Sequence, residues 1–308
     1  MIKYYFRTIK DETIKVIEDP RTGVWVHVED PTDEDLASLI KTFVLDADIV
    51  SDAKDFYEIL IMELGSRGGA ALFTRYPLRD QTQDNATAPI LIIVGESFVI
   101  TIAVREVPHF KKLISGEVEV FTTQKAKFFI QIMSIFTKSF DQELVRLRKA
   151  VHKDRVRLRS IGPREIERLV GYETTLNSMV DALIPTNTWL QQVTAGNFMQ
   201  LYSDDVDTME DLVIANGQVV NSARSILKMI QNIRGASEAI MTSRLNNALR
   251  ILTVLTILMT VPLVIASLYG MNVELPFQHS PLVFPGIVLL NVMILGVLTW
   301  VFKKNDWF

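Results

Sequence analysis

The sequence predicts an α+β membrane protein: an N-terminal cytoplasmic α/β domain, long helices forming a stalk, and two C-terminal transmembrane helices. Three observations predict it. No charged residue occurs from Ile251 to Val273 or from Leu282 to Phe302, and each run meets the requirement of about 20 residues for a helix that crosses a bilayer. Residues 1 to about 112 alternate strand-like and helix-like patterns. From about Pro108 onward the pattern is almost continuous helix.

The N-terminal stretch through Pro20 carries charges every few residues and no apolar core, so it reads as two short strands rather than a signal peptide. Val24–Val28, Phe56–Glu63, Ala70–Tyr76, Ile90–Val94 and Phe98–Val104 are rich in β-formers. Thr32 to Val44 is an amphipathic helix, with Thr32 and Asp35 spaced as a capping pair. Gly65 to Gly69 lacks the Lys-Ser/Thr end of a phosphate loop and sits between two strands, which makes it a hairpin turn. The helical region is expected to break at Gly162-Pro163 and near Pro185, and the last soluble helix to start near Thr194 and run unbroken into the first span. The expected organisation is a cytoplasmic α/β domain (1–112), a helical hairpin (113–193), a stalk helix (194–250), a transmembrane hairpin (251–302) with an outer loop at 270–281, and a basic cytoplasmic C-terminus (303–308).

Composition excludes several classes. The 308 residues contain no cysteine, four scattered histidines and a formal net charge of −4. Thiolate metal sites, disulfides and thiol nucleophiles are therefore out, and with no nucleophile or phosphate-loop pattern an enzyme is not expected. Arg146, Arg148, Lys149, Lys153, Arg155, Arg157 and Arg159 make one helix basic. That reads as a solvated face, with attraction to anionic lipid if it lies near a membrane. Without interleaved aromatics it does not point to nucleic acid.

The flanks orient the spans. Arg244 and Arg250 precede the first, Lys303 and Lys304 follow the second, and no Lys or Arg lies between Gly270 and Pro281. Positive flanks stay on the cytoplasmic side, so both termini are expected inside a multi-pass protein of the cell membrane. Two helices cannot enclose a water-filled path. A transporter built on them must be a symmetric homo-oligomer with one helix per subunit on the axis.

The first span carries the polar stripe such an arrangement needs. Asn246, Thr253, Thr260 and Ser267 recur every seven residues, and Leu249, Thr256, Leu263 and Gly270 fall three residues after each, a heptad-like seam. Hydroxyls and amides without fixed charge suit a passage for hydrated cations; the same residues also join transmembrane helices with no pore. The second span has only Asn291 and Thr299 as polar members. Pro262 leaves the Leu258 carbonyl without its helical donor, which predicts a bend near mid-membrane.

The first span ends in Tyr269-Gly270-Met271-Asn272. Here the sequence resembles the CorA family of magnesium channels, whose signature is this YGMN at the outer end of the first of two C-terminal helices. The resemblance extends through Asn246 to Thr253, the basic, aromatic C-terminus from Lys303 to Phe308 and, more weakly, Trp25 to Thr32. It implies a homopentameric channel in the lipid bilayer, with Mg²⁺ as transported and regulatory ion and no organic cofactor. Mg²⁺ binds oxygen and keeps several of its waters, so a ring of Asn272 amides can recognise it through its hydration shell, with Gly270, Met271 and Tyr269 completing the outer mouth. The family's motif is often followed by a Met-Pro-Glu-Leu-type loop, whereas this chain continues Val273-Glu274-Leu275-Pro276-Phe277-Gln278-His279. Glu274 is the outer carboxylate that concentrates cations near the mouth. His279 keeps zinc, cobalt and nickel in play. The family also holds its channel closed with Mg²⁺ on carboxylates between cytoplasmic domains. Counting back from the signature puts Asp211 at the stalk position, with Glu210 and Asp207 beside it. The sequence does not place the partner carboxylate in the first domain, for which Asp80 and Asp84 are candidates only. The bland reading of that acidity is a helix N-terminus. The reading from another class is a membrane-tethered scaffold or sensor.

Overall fold

The computed structural model describes residues 1–56, 62–64, 69–78, 86–156, 163–273, 280–305 and 307. Its chain divides into two compact units, Met1–Ile233 and Arg234–Phe308.

The first unit opens on a seven-stranded sheet in the order β2-β1-β3-β7-β6-β5-β4. The strands are β1 (Ile2–Phe6), β2 (Lys15–Ile17), β3 (Val24–Glu29), β4 (Met62–Leu64), β5 (Ala70–Pro77), β6 (Thr87–Val94) and β7 (Phe98–Ala103). Among the described residues only β3 and β7 pair in parallel, in register from Val24↔Phe98 to Glu29↔Ala103. Period-2 alternation sorts the two faces. Val24, Val26 and Val28 face a core with Leu36 and Leu39 of α1 (Asp33–Phe43) and with Ile49 and Val50 of α2 (Ala47–Asp52). Trp25 faces the opposite core, with Tyr76, Phe110, Phe128 and Phe136. The expected cap on α1 forms as a capping box, Asp35 N–H donating to Thr32 Oγ1 at 3.1 Å and Thr32 N–H to Asp35 Oδ2 at 3.2 Å.

A buried polar chain crosses this second core. Trp25 Nε1–H donates to Thr101 Oγ1 at 3.0 Å, and the same hydroxyl lies 2.8 Å from His27 Nδ1. His27 Nε2 is 3.0 Å from Glu29 Oε1, but the carboxylate sits off the line of a hydrogen bond, so the contact is one of proximity. Glu29 also accepts the Val107 N–H at 2.8 Å. The imidazole, then that N–H, hold the Glu29 carboxyl below the ordinary glutamate range, against the opposing push of burial.

After a short turn and α3 (Lys111–Ile114), three long helices follow: α4 (Lys125–Val156), α5 (Pro163–Thr194) and α6 (Ser203–Tyr269). Two expectations are corrected here. No break occurs near Pro185, which lies inside α5. An interior proline costs a helix about 3 kcal/mol, and the buried Met179, Leu183, Leu190 and Val193 on either side hold the helix to its neighbours across it. The last soluble helix starts at Ser203 rather than near Thr194, because α5 itself continues to Thr194 and turns at Gly196, whose φ is +86°. The α4, α5 and α6 helices share a core of Leu144, Leu147 and Val151 with Leu176 and Leu183 and with Ile226 and Ile230.

In the second unit, α6 continues through Pro262 to Tyr269 and is followed by α7 (Val283–Lys304). Both helices are long and apolar enough to cross a membrane, and the apolar window of each is almost wholly uncovered by the chain itself. The glycine turn at 65–68, most of the strand expected at 56–63, the break at Gly162, Asp80, Asp84, Glu274 and His279 lie outside the described residues.

Candidate ion-conduction site

The candidate site is one face of α6. Exposure along its cytoplasmic part follows the helix repeat. Met209, Leu212, Asn216, Val219, Ala223, Ile226, Ile230, Ile233 and Ser237 are buried, spaced three and four apart as one covered face. Asp207, Asp211, Ile214, Gln218, Asn221, Ser225, Lys228, Asn232, Gly235, Ala239 and Thr242 are exposed and lie opposite it. The covered and uncovered faces are separated by burial within the first unit. The seam read from sequence, Asn246, Leu249, Thr253, Thr256 and Thr260, lies in the second unit.

Within the apolar span the seam hydroxyls bond backwards. Thr253 Oγ1 donates to Leu249 O at 2.9 Å, Thr256 to Leu252 O at 2.8 Å and Thr260 to Thr256 O at 2.7 Å. A hydroxyl whose proton is used this way offers only lone pairs outward. Water bound to a cation turns its hydrogens outward. A row of such acceptors is chemically suited to the outward hydrogens of a hydrated cation. In α7, Asn291 and Thr299 likewise bond back, to Ile287 O at 3.0 Å and Leu295 O at 2.8 Å.

At the end of the seam, Gly270 N–H donates to both Ala266 O at 2.9 Å and Ser267 O at 3.2 Å, tightening the last turn. Its φ is not in the left-handed region, so its use is bareness; an added Cβ would stand 3.3 Å from Ala266 O. Tyr269, Met271 and Asn272 are exposed, and the Asn272 amide makes no hydrogen bond with the described residues.

Asp207, Glu210 and Asp211 are exposed near the start of α6, and no group of three His, Asp or Glu able to hold a metal occurs among the described residues.

Comparison with known proteins bears on this arrangement. The family model for CorA-like Mg²⁺ transporter protein matches residues 21–304. The cobalt/magnesium transport protein CorA of Methanocaldococcus jannaschii is 22% identical over 291 residues, covering 92% of this chain and 91% of that protein. Its fold is also the same: the complete structure of the CorA magnesium transporter from that organism superposes with a TM-score of 0.88 at 20% identity, covering 100% of this chain and 99% of that one. The full-length CmaX protein matches with a TM-score of 0.76 at 14% identity over 97% and 98% of the two chains. The ZntB cytoplasmic domain from Vibrio parahaemolyticus matches with 0.64 at 10% identity, covering 79% of this chain and 97% of its own.

Proposed function

The chain belongs to the CorA-like Mg²⁺ transporter family and so carries divalent cations rather than catalysing a reaction, and we propose that its cargo is Mg²⁺, recognised with its waters by Asn272. The observation that carries this reading is the continuity of one helix face: a row of outward lone pairs on Thr253, Thr256 and Thr260 leads to an unengaged amide at Asn272. One copy cannot surround an ion, so the working unit is a homo-oligomer, a pentamer in this reading, with α6 of each copy on the axis. In this reading it is a protein of the cell membrane, and the positive flanks support an orientation with both termini cytoplasmic. Asp211, with Glu210 and Asp207, takes a regulatory Mg²⁺ between copies; an ion that binds the closed arrangement better stabilises it.

The relative's name, a cobalt/magnesium transport protein, favours Co²⁺ as the second reading. Purified protein in liposomes, challenged with Mg²⁺, Co²⁺ and Zn²⁺ in turn, separates the readings. Mg²⁺ uptake that persists in competition with micromolar Co²⁺ and is lost in Asn272→Ala is expected. Uptake of Co²⁺ or Zn²⁺ alone would overturn the choice of ion.

A further inference from the structure

Between the turn that joins α1 to α2 and the turn that joins β6 to β7 lies a cavity of about 480 Å³, within the range of roughly 300–1,000 Å³ that small-molecule sites occupy. It belongs wholly to the first unit, and no residue of α6 lines it. Its floor is apolar: Ile49 and Val50 of α2, Ala71 of β5 and Ile93 of β6. Two half-buried rings, Phe43 and Phe98, also line it and meet edge to face, with centroids 4.8 Å apart. Among the described residues the charged side chains of the lining are carboxylates, Asp46 and Glu96, and no Lys, Arg or His joins them.

The two walls are held in different ways. The β6–β7 turn is braced: Gly95 N–H donates to Phe98 O at 3.0 Å, Ser97 O accepts the Gly23 N–H at 2.6 Å, and the Lys125 ammonium is spent on the Gly95 and Glu96 carbonyls. Gly95 needs its bareness here, because an added Cβ would overlap the Phe98 ring. On the other wall, Val44 closes α1 at φ +54° and ψ +53°. A β-branched residue keeps that left-handed conformation only where its surroundings enforce it, and it turns the chain so that Phe43 and Asp46 reach the same cavity.

We propose that this cavity binds a small organic ammonium ion with an apolar body, a site that stands independently of the ion path read for α6. The side chains of the floor offer a metal ion none of the oxygen ligands it needs, and the two carboxylates repel anions. An ammonium group gains from Asp46 and Glu96 and from the faces of the two phenyl rings, while its hydrocarbon covers the floor. Asp46 Oδ1 accepts the Asp48 N–H at 3.0 Å as the cap of α2, which fixes the direction of that carboxylate. The Glu96 side chain is exposed and makes no hydrogen bond or ion pair with the described residues.

The test is equilibrium dialysis of phenethylammonium, phenethyl alcohol and phenylacetate against the full chain in lipid nanodiscs, with empty nanodiscs as the blank. Phenethylammonium should bind saturably, and more tightly than its uncharged or anionic analogue. Asp46→Asn, which keeps the helix cap, Glu96→Gln and Phe98→Leu should each weaken it about twofold to fivefold, the worth of an exposed ion pair or of a cation–π contact. Asp141→Asn, at an exposed carboxylate of α4, should match wild type. If Phe98→Leu lowers the thermal midpoint, the Asp46→Asn/Glu96→Gln double variant decides. Equal binding of phenethyl alcohol, preference for phenylacetate, no saturable binding, or wild-type affinity in the double variant would each overturn the proposal. None of these outcomes bears on Mg²⁺ uptake, so this inference and the transport reading fail separately.

Discussion

The two faces of α6 follow the same repeat and have opposite chemistry. One carries Val219, Ala223, Ile226, Ile230 and Ile233 into the core shared with α4 and α5. The other carries Asp211, Gln218, Asn221, Ser225, Lys228 and Asn232, all exposed. An ordinary surface face would be free to vary in polarity from turn to turn. In the second unit, the membrane span of α6 is mostly Ile, Leu, Val and Met, with a line of hydroxyls at Thr253, Thr256, Thr260 and Ser267.

Substitutions can break that division. On the covered face, Ile230→Ala should cost about 2–5 kcal/mol through lost burial and the cavity left behind, read as a large fall in the thermal midpoint of the purified chain. Asn216 is the polar exception on this face, fully buried and donating to Leu183 O at 3.0 Å and Asn187 Oδ1 at 3.2 Å. Asn216→Ala should cost about 1–3 kcal/mol by leaving those acceptors without a donor. On the uncovered line, Ser225→Ala should shift stability by no more than about 0.5 kcal/mol. Asp211→Asn should also leave the midpoint unchanged in metal-free buffer while relieving inhibition of uptake by internal Mg²⁺; unaltered inhibition would remove Asp211 from regulation.

A smaller effect concerns Glu29, which is held below the ordinary glutamate range in the folded chain. Its contribution is fully present above the unfolded-state pKa and is lost as pH falls through the depressed folded value. Acid denaturation of Glu29→Gln should therefore be shallower than wild type below about pH 4.

Much of this was legible in the sequence because the signals are local. The apolar spans, the Thr32–Asp35 cap and the strands around Val24–Val28 and Ile90–Val94 each follow from a few neighbouring residues. The path past Pro185 was not, since burial on both sides of the proline outweighs its local cost. The insertion of β7 between β3 and β6 was not either, because a strand pairing of such separation leaves no mark in either strand. The threonine line was readable within the membrane span, where hydroxyls stand out against Ile and Leu. In the cytoplasmic part of α6 polar residues occupy several faces, and only burial tells the covered face from the uncovered one.

Whether the seam face of α6 is the ion path is open to direct measurement, because the chain has no native cysteine. Single cysteines placed from Asn246 to Thr260, each treated with a charged thiol reagent during Mg²⁺ uptake, report which positions line the path. Block or marked slowing is expected at 246, 249, 253, 256 and 260, with little effect at 251, 255 and 258 on the opposite face. Equal sensitivity around the helix, or a maximum at Ile251, Leu255 and Leu258, would rule the seam out as the path.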